Sequence, residues 1–162
     1  ATGEEVFSLR RYFQQAAIAG LDINPLNIAV CRFRRRRMGD ENMKFAVAGS
    51  VSEEASASYD VIFAMAVFRH GNLNVTPPPL KCDPLIRFAD FEQSVAELAR
   101  VLKPGGLLVI QHAMFRFADT RAAVAFKTAF IFVTPGKDPY YGHDDRLLPI
   151  TAYPDVVFQK KP

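Results

Sequence analysis

Apolar residues recur at helical spacing over the opening stretch of the chain and again over residues 88–102, and between and beyond them lie short continuous apolar runs. That pattern predicts helices alternating with buried strands. The most legible stretch is VAELARVLKPGGLLVIQH, Val95 to His112. Phe88, Phe91, Val95, Leu98, Ala99 and Leu102 share one helical face, and Asp90 with Gln93 has the spacing of a capping box. Pro104 ends the helix, Pro104-Gly105 suits the central positions of a type II turn, and Leu107 to Ile110 is an all-apolar run of strand length. A strand apolar on both faces is characteristic of a parallel sheet covered by helices.

The same reading extends along the chain. Thr2 and Glu5 are spaced as a capping box for an opening helix whose inner face is Val6, Leu9, Phe13 and Ala16 or Ala17. Gly3 then stands at the helix mouth, where backbone N–H groups and the helix dipole attract a carboxylate or phosphate. A capped helix with no ligand is the plainer alternative. Ala17 to Asp22 is a short strand ending in an acid, followed by Asn24 as a cap and Pro25 at the first helical position. An acid at that strand tip, about 20 residues beyond a glycine turn, holds ribose hydroxyls in nucleotide-binding sheets. A solvated turn residue is again the alternative.

The second helix is expected to turn Leu26, Ala29, Val30 and Phe33 inward and to close with Arg32 and Arg34 to Arg37, cations that suit a helix C-terminus. Met43 to Ala48 reads as a strand, a polar loop follows, and Tyr59 to Val67 (YDVIFAMAV) is the best candidate for a central parallel strand. Arg69 and His70 stand just past its end, before a proline-rich stretch, GNLNVTPPPLKCDPLIRF, of the kind used as a lid or substrate loop. After His112 the pattern predicts a helix over Phe115 to Phe126, an apolar strand over Ala129 to Val133, a polar loop, and a last strand near Asp155 to Gln159. The order predicts an α/β fold: one doubly wound, mostly parallel sheet with helices on both faces, closing in an antiparallel hairpin.

Composition narrows this only slightly. A chain of 162 residues and 18.1 kDa, 49% hydrophobic, fits one domain over residues 1–162 with a sizeable core. The net charge of +3 is concentrated at the arginine cluster, which has little aromatic interleaving and so does not read as a nucleic-acid surface. No apolar run approaches the roughly 18 residues of a membrane span, and there is no basic-then-apolar leader, so a cytoplasmic protein is expected. Cys31 and Cys82 lack metal-ligand spacing and make no disulfide framework, so both are read as reduced thiols and no metal is expected.

Four stretches together resemble the class I S-adenosylmethionine-dependent methyltransferases. LKPGGLLVI is similar to their fifth strand and its approach, ATGEE to the end of their glycine-rich loop, GLDINP to their acidic second strand, and YDVIFAMAVFRH to their fourth strand. On this resemblance the chain begins inside the glycine loop, so the family's first strand is expected to be missing from it. The third strand ends in Ala48-Gly49-Ser50-Val51 where the family usually offers an acid to the adenine amine.

The resemblance implies S-adenosylmethionine as cofactor. Thr2 and Gly3 would face its amino-acid end, Asp22 the ribose, Ile23 the adenine face, Ser50 and Val51 the adenine edge, and Ala64 with Met65 the floor. Methyl transfer from a sulfonium is helped mainly by positioning, whereas deprotonating an acceptor needs a base. His70 and His112 follow the C-terminal ends of two neighbouring predicted strands, the edge where open α/β sheets bind ligands, and are the candidates. A wall role is the alternative for each. Tyr140, Tyr141 and His143 are weaker candidates for a substrate rim.

A small-molecule acceptor is favoured, with protein and nucleic acid left open. The rivals are a degenerate or truncated methyltransferase-like binding module and a nicotinamide-dependent dehydrogenase, the latter lacking a recognisable Tyr/Lys pair.

Overall fold

The computed structural model describes residues 3–68, 79–81, 87–133, 139–149 and 154–162. The chain divides into two compact units, Ala1–Val51 and Ser52–Pro162. The first contains α1 (Glu4–Tyr12), β1 (Ile18–Asp22), α2 (Pro25–Met38) and β2 (Met43–Val47). The second contains β3 (Tyr59–Met65), α3 (Phe88–Val101), β4 (Leu102–Gln111), two short 3-10 turns over Phe117–Asp119 and Arg121–Ala125, β5 (Phe126–Val133) and β6 (Pro154–Lys160). The architecture is therefore the expected α/β one, with two parallel and two antiparallel strand pairings. β1 pairs with β2 in parallel, and the other sheet runs β3-β4-β6-β5, parallel between β3 and β4 and antiparallel through the closing hairpin. Among the described residues no helix is long and apolar enough to cross a membrane.

In the first unit the core is Phe7, Ile28, Cys31, Met43 and Phe45, with Val6 and Ile18 against it. Two helix faces differ from expectation. On α1 the buried residues are Phe7 and Arg10, while Phe13 is exposed just past the helix end. Arg10 is held inside because its Nη1 donates to the Phe13 and Gln14 carbonyls and its Nε lies 2.7 Å from an Asp40 carboxylate oxygen. On α2, Ile28 and Cys31 are buried and Leu26, Ala29, Val30 and Phe33 are exposed. The arginines turn this helix: Arg32 donates from Nε and Nη2 to Phe45 O, and Arg35 from Nη1 to Met43 O. Their stems must therefore lie over β2, which sends the apolar stripe outward.

The α1 N-cap is Gly3, without a side-chain cap, and the expected Thr2–Glu5 capping box involves Thr2, which lies outside the described residues. α2 starts as expected, with Asn24 Oδ1 accepting from Leu26 N–H at 2.9 Å and Pro25 at the first position. Gly39, at φ +64°, closes it, and its N–H donates to the last carbonyls.

In the second unit the core gathers α3 under the sheet, with Phe91, Val95, Leu102 and Leu108 almost without solvent contact. Aromatic rings lock it: Phe68 meets Phe91 edge-on at 5.0 Å, and Phe117 sits 4.4 Å from Phe158 and 5.1 Å from Phe126. Asp90 is not the N-cap of α3 but its third residue, and its carboxylate accepts from the Arg87 N–H at 3.0 Å. The next orphan donor, Phe88 N–H, goes to Asp145 Oδ1 at 2.6 Å. At the other end Lys160 Nζ donates to the Ala99 and Leu102 carbonyls, so a residue of β6 caps α3.

Phe115 to Phe126 forms 3-10 turns and no α-helix. Thr120 is buried and its Oγ1 donates to Phe117 O at 2.7 Å, a local bond that competes with helical pairing. β3 stands at one end of the four-stranded order and not at its centre, with Val61 and Phe63 more than 40% exposed.

The LKPGG stretch is an excursion within a strand. α3 stops at Val101, three residues before Pro104, which disfavours helix behind it. Tyr59 pairs with Leu102 and Val61 with Leu107, so β4 inserts Lys103 to Gly106 opposite Asp60 alone. Gly105 takes φ +78°, the value a type II turn needs at its third residue. Lys103 Nζ bridges both Asp60 carboxylate oxygens, and Gln159 Nε2 donates to Gly105 O. A Cβ on Gly106 would stand 2.9 Å from Asp60 O and 2.8 Å from Leu102 Cδ1. Gly106→Ala is therefore expected to destabilise the protein by about 1–3 kcal/mol through overpacking, measured by urea denaturation. Gly105→Asn, which meets open space and suits a left-handed residue, should cost less.

Candidate functional site

In the first unit the C-terminal ends of β1 and β2 finish together, with Asp22 in register with Val47 and Ala48 N–H donating to Asp22 O at 3.2 Å. Asp22 Oδ1 accepts the Asn24 N–H at 2.8 Å and Oδ2 accepts Asn27 Nδ2 at 3.0 Å, so the acid is clamped by the first turn of the helix it precedes. Burial pushes its carboxyl pKa up, but hydrogen bonds, those from Asn24 and Asn27 among them, more than offset this and hold it below its ordinary value. It is an oriented carboxylate at neutral pH.

Ile23 follows, 75% exposed. A Cβ on Gly49 would touch Ile23 Cγ2 at 3.5 Å, so the Ile23 side chain lies against the turn after β2, where Ser50 is exposed and Val51 half-buried. An ionised acceptor, an apolar surface and a polar turn thus meet at one strand edge.

Gly3 opens α1 at φ +81° and is buried. A Cβ there would stand 2.6 Å from Cys31 Sγ, so backbone conformation and space both demand glycine. Burial, and then the nearby charges of Asp22 and Glu4, push the Cys31 thiol pKa up against the pull of Arg34, which keeps the sulfur a neutral packing group. Asn27 was not singled out in the sequence, and Cys31 and Gly49 were noted there only as a reduced thiol and as part of the turn after the third strand; of the three only Asn27, one helical turn behind the acid, carried a signal for this site.

In the second unit the ends of β3 and β4 are adjacent. Ala64 is buried and Met65 half-buried, and Ala66 N–H donates to Gln111 O at 3.0 Å. Beyond that bond both chains turn in the same way: Ala66 has φ +54° and His112 φ +53°, neither being glycine. Such conformations in L-residues concentrate where a fold aims side chains for a purpose. His112 is exposed at this edge. His70, with Arg69, lies outside the described residues.

The rim candidates separate. Tyr141 is 2% exposed and its hydroxyl donates to Pro79 O at 3.1 Å, so it belongs to the core and not to a rim. Tyr140 is half-buried, and His143 is exposed with its ring edge-on to Phe88. Among the described residues no cluster of His, Cys, Asp and Glu is arranged to hold a metal ion.

A family pattern described as a methyltransferase domain matches residues 1–130. No curated protein is close enough in sequence to count as a relative. Among solved structures the chain is similar to the [4+2]-cyclase SpnF, at 18% identity and a TM-score of 0.55, over 83% of this chain and 52% of that one. It therefore spans about half of that protein's length. It is similar to a Galdieria sulphuraria protein provisionally named sarcosine dimethylglycine methyltransferase, at 17% identity and TM-score 0.64, over 99% and 75% of the two chains. The N-methyltransferase NodS of Bradyrhizobium japonicum WM9 matches at 12% identity and TM-score 0.56, over 99% of each chain. These likenesses show the Rossmann-like fold that those proteins share.

The paired left-handed strand ends make a measurable demand on stability. Ala66→Gly removes the Cβ that disfavours this backbone, at some cost in unfolded-chain entropy, and is expected to stabilise the protein by about 0.5–1 kcal/mol. A rise in the urea midpoint at unchanged slope is the readout. Loss of stability would mean that the Ala66 methyl packs usefully.

Proposed function

Since the chain belongs to the methyltransferase-domain family, we propose that it binds S-adenosylmethionine through the edge formed by Gly3, Asp22, Ile23 and Ser50 and transfers the methyl group to a small-molecule acceptor. The observation that carries this reading is Asp22: an oriented, ionised carboxylate at the tip of β1, clamped by Asn24 and Asn27 at the position where nucleotide-binding sheets hold ribose hydroxyls. Thr2, by its place in the sequence beside Gly3, takes the amino-acid end with it. Ile23 offers an exposed apolar face to the adenine, and Ser50 and Val51 offer their backbone and the Ser50 hydroxyl to its edge. The residues present fit the cofactor, because an ionised acceptor, an exposed apolar side chain and an exposed hydroxyl stand at one strand edge, in Asp22, Ile23 and Ser50.

When bound, the cofactor supplies a methyl group on a sulfonium, which leaves by in-line displacement without an acid. The protein's work is then to orient and to exclude water. In the second unit the roles assigned by the family's pattern fall to Ala64 and Met65 as floor residues. His112 is the candidate to accept a proton from the acceptor, with His70 as the sequence-based second.

Two observations favour a second reading, a ligand-binding domain without methyl transfer. Ser50 stands where the family usually places an acid, and the SpnF likeness joins this fold to a cyclase.

Calorimetric titration with S-adenosylhomocysteine and with NAD separates the cases. Binding of S-adenosylhomocysteine alone is expected. Asp22→Ala should weaken it roughly ten- to a hundredfold, through loss of charge-assisted hydrogen bonds worth about 1.5–3 kcal/mol. Asp22→Asn should weaken it less, with circular dichroism unchanged in both. Unaltered affinity in Asp22→Ala would place the ribose elsewhere, and binding of NAD alone would move the assignment to a dehydrogenase. Tight S-adenosylhomocysteine binding with no methyl transfer to any of a panel of small amines and phenols would favour the second reading.

A further inference from the structure

The arginine cluster of α2 is not uniformly a solvated helix end. Arg34 pairs with Glu4 and stacks over the Phe7 ring at 4.3 Å, and Arg37 lies 5.9 Å from the Phe33 ring. The other three, Arg32, Arg35 and Arg36, line a cavity of about 220 Å3 together with Lys44 and Phe45. Among the described residues no carboxylate lines it. Four cations in one concavity repel one another, and a chain that holds them there without an acid creates a site of strongly positive potential.

Two of the four are fixed by the backbone. Arg32 gives Nε and Nη2 to Phe45 O at 3.1 and 2.9 Å, and Arg35 gives Nη1 to Met43 O at 3.3 Å. Each guanidinium carries five N–H donors, so Arg32 keeps its Nη1 group, and Arg35 its Nε and Nη2 groups, for another acceptor. The Arg36 and Lys44 side chains make no hydrogen bond or ion pair among the described residues. Anchored guanidinium groups lose little freedom on binding, which is the condition for a preorganised anion site.

We propose that this cavity binds a phosphorylated small molecule bearing at least two negative charges, recognised through its phosphate or pyrophosphate group. Its volume is several times the roughly 30 Å3 of a liquid water, enough for a compact diphosphate. A nucleic-acid strand is disfavoured because the one aromatic side chain in the lining, Phe45, is only 8% exposed and offers no stacking platform. The site is formed wholly by α2 and β2 and does not depend on the cofactor reading.

The test is calorimetric titration of the full chain with inorganic pyrophosphate at low ionic strength, with a short single-stranded RNA in a parallel arm. The variants are Arg36→Gln/Lys44→Gln, which removes no hydrogen bond of the fold, and Arg34→Gln as a charge control outside the cavity. Saturable one-site binding of pyrophosphate is expected, weakened at least about tenfold in the double variant and less than about threefold in the control. Binding that is absent, or equally weakened by the control, would overturn the proposal as mere net charge. RNA bound more tightly than pyrophosphate, and lost in the double variant, would overturn it in favour of a nucleic-acid surface.

Discussion

β4 has neither an open edge nor an open face over Leu108 to Ile110. It is hydrogen-bonded to β3 on one side and β6 on the other, and these three side chains are 0–9% exposed. In such a strand every N–H and C=O must find a strand partner, because no water reaches them. The remaining arrangements of the second unit follow from serving this strand. α3 covers it with Phe91 and Val95, and Lys160 and Asp145 cap that helix from elements far away in sequence. The four-residue excursion Lys103 to Gly106 lets the helix end and the strand begin without breaking the pairing with β3.

This strand was also where the sequence was easiest to interpret, and for the same reason. A run buried on both faces must be apolar throughout, and a helix that ends against it must show a stop signal, so Leu107 to Ile110 and Pro104-Gly105 leave no second interpretation. Asp22 and the β1–α2 joint were equally legible, because Asn24 and Pro25 have strong positional meaning. Elsewhere tertiary contacts overrode local pattern. The outward stripe of α2 looked like a core face because hydropathy does not register that arginine stems can cover a strand while their heads bond its carbonyls. Phe115 to Phe126 had helical periodicity, yet its aromatic residues are placed by ring contacts and its backbone is diverted by Thr120. At the candidate site, the positions of the strand-tip residues were visible, but the contacts that support them were not: Asn27, Cys31 and Gly49 act through contacts that span loops.

Arginine does two kinds of work in the first unit. At Phe45 and Met43 it satisfies carbonyl groups of a strand that has one strand partner among the described residues, and in doing so it blunts an edge that would otherwise invite another strand. At the cavity the same residues present what is left of their donors. One cluster can thus be structural on one side and chemical on the other, and a count of positive charge does not separate the two.

The sheet order β3-β4-β6-β5 places the last strand in chain order between two made earlier. β4 and β5 therefore cannot complete their pairings as they emerge from the ribosome. Each must wait, with an apolar edge open, until residues 154–160 are synthesised and insert between them. Pairings as distant as Leu107 with Gln159 make closure slow relative to a local hairpin, so the nascent second unit passes through a stage vulnerable to aggregation and proteolysis.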